Sequence, residues 1–160
     1  MKVQLTPEPE IVTQHPVPFV YVERSGPFLE NAPGAWQQFW TAAGNFFRRE
    51  HVAAMMGLSR VDKQKKGDDA YVYQAGIALR VAPTALPQGL KTRSLNGGKY
   101  ARFVLLGTYA QLPHAYPQIF SILEEKKMSI REDFCIESYL NSPNDTPEDR
   151  LQTEILIPIG

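Results

Sequence analysis

The chain has 160 residues, 43% apolar and 21% charged, an ordinary globular composition and enough length to bury a proper core in a single domain. Lysine plus arginine balances aspartate plus glutamate at 17 each, so no charge excess points to nucleic acid or an anionic membrane as partner. A single cysteine, Cys135, excludes an intrachain disulfide and a cysteine metal cluster, and a reducing cytoplasm is the expected compartment.

The opening stretch MKVQLTPEPEIVTQHPVPF lacks the apolar core of a signal peptide, and no apolar run reaches membrane-spanning length. The first strand is expected at Phe19–Arg24. A helix follows over Ala35–Glu50, with Trp36, Phe39, Trp40, Ala43, Phe46 and Phe47 at three- and four-residue spacing. Asn31 or Pro33–Gly34 reads as its start signal, and Arg48–Arg49 suits its C-terminal end. Strands are expected next at Leu58–Asp62 and Tyr71–Arg80, joined by the charged turn Lys63–Asp69. Another strand, Tyr100–Gly107, leads into a helix over Pro113–Lys126, where proline suits the first turn. Strands at Phe134–Leu140 and Leu151–Ile159 close the chain, separated by a polar stretch containing Pro143 and Pro147.

The order strand–helix–strand–strand therefore occurs twice. Val20–Phe28 lies over Phe103–Tyr109, Trp36–Trp40 over Tyr116–Phe120, and Ala75–Leu79 over Thr153–Ile157. The expected fold is α+β: a duplicated β-α-β-β repeat with pseudo-twofold symmetry, mainly antiparallel, with both helices on one side and a central ligand cleft. The repeats should cover about residues 18–82 and 90–159 of one domain spanning 1–160.

An acidic residue inside a closing strand is costly if buried without a partner, so Glu154 is either at the surface or kept for a ligand. Alternation puts Ile155, Ile157 and Ile159 toward the helices and turns Glu154, Leu156 and Pro158 the other way. In Phe134–Leu140 the helix-facing set is expected to be Phe134, Ile136 and Leu140, with Cys135, Glu137 and Tyr139 opposite. Glu154 and Tyr139 should then share a face, with Glu137 beside them. Tyr109, Tyr116 and Tyr139 also suit core or rim positions with satisfied hydroxyls. Trp36 and Trp40 read as core, with Trp36 within reach of the cleft mouth. His15, His51 and His114 have no metal-ligand spacing, and no phosphate loop, nucleophile elbow or dinucleotide fingerprint is present, so neither metal nor cofactor is expected.

The series Gly98-Lys99-Tyr100-Ala101-Arg102-Phe103, Gly107-Thr108-Tyr109, Ala115-Tyr116, Tyr139-Leu140-Asn141 with Pro143, Thr146-Pro147, Leu151, Thr153-Glu154-Ile155 and Ile157-Pro158-Ile159 resembles the GyrI-like small-molecule-binding domain. That domain is also the effector-binding part of AraC-type and MerR-type activators. The first half matches through Gly26, the aromatic helix and Ala75-Gly76-Ile77. The resemblance implies a bacterial, multidrug-type binding protein. Its closing-strand glutamate, matched by Glu154, would receive cationic or polar groups of flat amphipathic molecules. Tyr139, Tyr109, Trp36, Glu137 and Leu156 complete the expected ligand set. Some relatives hydrolyse cyclopropane-bearing electrophiles, for which Glu154 with a tyrosine, Tyr139 or Tyr109, would be the catalytic pair. The family name also suggests a protein-interaction inhibitor. A tryptophan usual near 121–122 is replaced by Ser121 and Ile122. No helix-turn-helix pattern precedes the domain, so a free-standing form without a direct DNA-binding role is expected.

Overall fold

The computed structural model describes residues 3–160; Met1 and Lys2, which begin the stretch read above for a signal peptide, lie outside the described residues. In chain order the elements are β1 (Gln4–Leu5), β2 (Glu10–Gln14), β3 (Val17–Ser25), α1 (Phe28–Ala43), β4 (Val52–Val61), β5 (Tyr71–Leu79), β6 (Lys91–Leu95), β7 (Gly98–Leu106), α2 (Leu112–Glu125), β8 (Cys135–Tyr139) and β9 (Gln152–Pro158). The strand pairs are antiparallel, and the fold is the expected α+β class. Among the described residues no helix is long and apolar enough to cross a membrane. The chain divides into two compact units, His15–Gly97 and Gly98–Gly160, the latter taking in the N-terminal segment through Gln14. Each carries one strand–helix–strand–strand sequence.

In the His15–Gly97 unit the strands run β4-β5-β3-β6. Helix α1 buries Ala35, Phe39 and Ala43, spaced four apart, against Val20, Val22, Ala75, Ile77 and Leu79 of β3 and β5. The helix starts and stops seven residues earlier than its aromatic spacing predicts. Pro27 caps its start, so Asn31, Pro33 and Gly34 lie inside it. Gly44 ends it in a left-handed conformation, φ 51°, with its N–H returned to the Trp40 carbonyl. Phe46 and Phe47 therefore fall in the following loop, and Arg48–Arg49 lie beyond the helix end, where Arg49 begins a single 3-10 turn. Asn31 is buried, and its amide donates to the carbonyl oxygens of Arg24, Gly26 and Tyr71, tying the helix's first turns to the ends of β3 and β5. Gly34 makes room for the Arg24 guanidinium, which a Cβ would meet.

In the Gly98–Gly160 unit β7 pairs with β9, β9 with β8, and both N-terminal strands pair with β7. Helix α2 falls within one residue of expectation. It lays Leu112, Ala115, Ile119 and Leu123 on Ala101, Phe103, Leu105, Ile155 and Ile157. Fully burying one such side chain is worth about 1.5–3 kcal/mol, so this layer dominates the unit's stability.

The two helices carry matching aromatic pairs. Trp36 stacks on Trp40 at 6.3 Å with a 26° interplanar angle, and Tyr116 on Phe120 at 6.2 Å and 28°. The inner ring of each pair bonds to its own sheet, Trp36 Nε1 donating to the Tyr73 hydroxyl and the Tyr116 hydroxyl to Glu137.

Candidate functional site

Register decides which side chains meet. On β9, Ile155 and Ile157 lie opposite Phe103 and Ala101 of β7 and pack with α2, as alternation requires. Glu154 and Leu156 point to the other face, where Glu154 sits opposite Val104 and Leu156 opposite Arg102. On β8, Ser138 is opposite Glu154 and Ile136 opposite Leu156, so these two share the Glu154 face. Glu137 pairs with Ile155 and Tyr139 with Thr153, placing both on the helix side. The expectation that Tyr139 and Glu137 share a face with Glu154 is therefore corrected. The helix-facing set of this strand is Cys135, Glu137 and Tyr139, not Phe134, Ile136 and Leu140.

Two separate polar groupings result. The first lies on the sheet face away from α2. Arg102 donates from Nε to Glu154 Oε2 at 2.5 Å, across the diagonal of the β7–β9 ladder. A second guanidinium nitrogen lies 3.5 Å from Glu10 Oε2 on β2, directly opposite Arg102. The side chain of Glu154 is 19% exposed and that of Arg102 28%, whereas Glu10 is 67% exposed. Two carboxylates around one guanidinium leave one net negative charge. Val104 beside them is half-buried, and Leu156 shares the face but is buried at 1% exposure.

The second grouping lies under α2. The Tyr116 hydroxyl donates to Glu137 Oε2 at 2.6 Å and the Tyr139 hydroxyl to Oε1 at 2.8 Å. Tyr109 packs its ring on Tyr139 at 5.4 Å, edge to face, and its hydroxyl lies 3.5 Å from the Asn141 carbonyl. Burial raises the Glu137 carboxyl above its ordinary value, and the two tyrosine hydroxyls pull it back. Burial first, then Glu137 and Asp133, push the Cys135 thiol up to about 11, so Cys135 is no nucleophile at neutral pH.

A carboxyl raised by burial favours the folded state while protonated. That contribution is present below the unfolded value and lost as pH rises toward the folded one. Glu137→Gln keeps partners for both hydroxyls and removes the titration. Its melting temperature should match the parent's near about pH 4 and exceed it at neutral pH. Parallel melting curves across that range, measured by scanning calorimetry, would refute this.

Trp36, the remaining expected ligand residue, belongs to the His15–Gly97 unit, where it packs against the core and bonds Tyr73. Arg102 and Glu10 escaped notice as partners of Glu154. A lone arginine within the apolar run of β7 poses the same burial problem as a lone glutamate within β9, and each solves the other's. Among the described residues no group of three or more His, Cys, Asp or Glu side chains could hold a metal.

A half-buried acid thus stands on the open face of an antiparallel sheet whose other face is backed by a helix, an α+β arrangement. The chain is a member of the GyrI-like family, whose small molecule binding domain matches residues 7–160. No curated protein matches the sequence. Among solved structures, the EcmrR C-terminal domain is similar at TM-score 0.71 and 14% identity, covering 100% of this chain and 99% of that one. SAV2435 bound to tetraphenylphosphonium is similar at TM-score 0.69 and 15% identity, covering 100% and 94%. A hydrolase from Listeria innocua is similar at TM-score 0.61 and 12% identity, covering 97% and 93%.

Proposed function

We propose that the chain binds amphipathic organic cations of delocalised charge against the sheet face bearing Glu154, Arg102 and Val104. The observation carrying this reading is the half-buried Glu154 carboxylate, between Val104 and Ser138 of the neighbouring strands and with Leu156 on its own face, in a cluster with one net negative charge. A strongly hydrated cation gains little by leaving water for such a place. A bulky, weakly hydrated one buries apolar surface and meets the carboxylate in a medium of reduced dielectric. SAV2435, of like fold, holds a molecule of this kind, tetraphenylphosphonium.

Hydrolysis by Glu154 with a tyrosine, Tyr139 or Tyr109, requires both groups at one reacting bond. Tyr139 instead spends its hydroxyl on Glu137, on the helix side of the sheet, and Tyr109 packs against the core on that side with its ring on Tyr139. Binding is accordingly the reading the geometry favours. Calorimetric titration with tetraphenylphosphonium and with tetraphenylborate, equal in shape and opposite in charge, tests it. Tetraphenylphosphonium should bind, with tetraphenylborate at least about tenfold weaker. Equal affinities would mean that shape alone is recognised and would overturn the cation preference.

A further inference from the structure

Resting on that reading, we infer that Arg102 is a built-in competitor for the cation site: its guanidinium contests Glu154 with an incoming organic cation, and Glu10 receives it when it yields. The geometry contains both partners. Arg102 lies between the two carboxylates, at 2.5 Å from Glu154 through Nε and at 3.5 Å from Glu10 through a terminal nitrogen. Glu10 stands directly across the β2–β7 ladder, and Glu154 stands on the diagonal of the β7–β9 ladder. A guanidinium is a rigid fork that can lean toward either acid without losing both. The path is also graded, because Glu154 is 19% exposed and Glu10 67%, so the arginine moves outward as it yields.

The physical consequence is a filter. Apparent affinity equals intrinsic affinity multiplied by the fraction of molecules in which Glu154 is released. A small polar cation offers Glu154 nothing that Arg102 does not, and it lacks the intramolecular advantage. A cation that also buries apolar area against Val104 can displace the guanidinium. Arg102 thus determines specificity without being part of the ligand's apolar seat, and Glu10 acts only through Arg102.

A double-mutant cycle on tetraphenylphosphonium affinity separates this from simple charge effects. Arg102→Met should tighten binding by about tenfold, the release of one half-buried ion pair. Arg102→Gln, which still donates to Glu154, guards against misfolding and should tighten binding by less. Glu10→Gln should weaken binding about threefold in the parent and leave it unchanged in the Arg102→Met background. An equal loss in both backgrounds would make Glu10 a bystander charge and overturn the inference. Unchanged affinity in both Arg102 variants would overturn it too, while leaving the binding reading intact if Glu154→Gln still weakens the interaction. Absence of tetraphenylphosphonium binding by the parent and every variant would overturn both.

Discussion

Glu154→Gln is expected to weaken tetraphenylphosphonium binding by roughly 3- to 100-fold. A unit charge about 6 Å from a carboxylate gains about 0.7–2.8 kcal/mol, depending on whether the effective dielectric is near that of water or near 20. The substitution preserves shape, and its amide oxygen can still accept the Arg102 Nε–H. Arg102 also keeps Glu10, so the side chain left behind is not an orphaned buried cation. The cluster's net charge falls from one negative to zero. The fold should survive, and circular dichroism of the variant should overlay the parent's. Unchanged affinity, measured by calorimetry at low salt, would show that the carboxylate takes no part.

The largest stability effect is expected from Phe103→Ala. Phe103 is fully buried opposite Ile155 and packs with Ile119 and Leu123 of α2. Truncating such a side chain costs about 3–5 kcal/mol, through lost transfer energy and a cavity the layer cannot close. Marginal domains hold only about 5–15 kcal/mol, so a large drop in the denaturant midpoint should follow. A change below about 1 kcal/mol would mean that α2 repacks and that this layer is less rigid than described.

The sequence was most legible where burial demands apolar residues. β3, β5, β7 and β9 carry the inward-facing residues of the two cores, and their runs of β-branched, aromatic and aliphatic residues located them. β1, β2 and β6 were not anticipated, because EIVTQ and KTRSL are short, polar pairing strands held by ladder hydrogen bonds. The face of Glu154 followed correctly from Ile155, Ile157 and Ile159. That of Tyr139 did not, because the alternation was phased on Phe134 and Leu140, which flank β8 and lie outside it. Leu140 is 47% exposed, so its apolar character carried no information about the core.

The overlay of the two repeats also explains why only one carries the acid. Ala75–Leu79 laid over Thr153–Ile157 puts Gly76 in the place of Glu154, and Gly76 indeed faces Tyr21 as Glu154 faces Val104. A Cβ on Gly76 would run into the Val20 carbonyl oxygen and the Tyr21 backbone. Close strand packing there admits no side chain. Above it, Phe19 and Tyr21 stack at 5.3 Å beneath the Arg93 guanidinium, which Gln74 holds. One repeat thus presents a carboxylate at this place and the other an aromatic pair under a cation.

The most direct test is a map of intermolecular nuclear Overhauser effects between tetraphenylphosphonium phenyl protons and methyl-labelled protein. Contacts to the Val104 methyls, with Ile155 and Ile157 silent, are the predicted result, because Val104 faces Glu154 whereas the two isoleucines are sealed under α2. Contacts to Ile155 and Ile157 with Val104 silent would place the ligand on the wrong side of the sheet and contradict the assignment of the site.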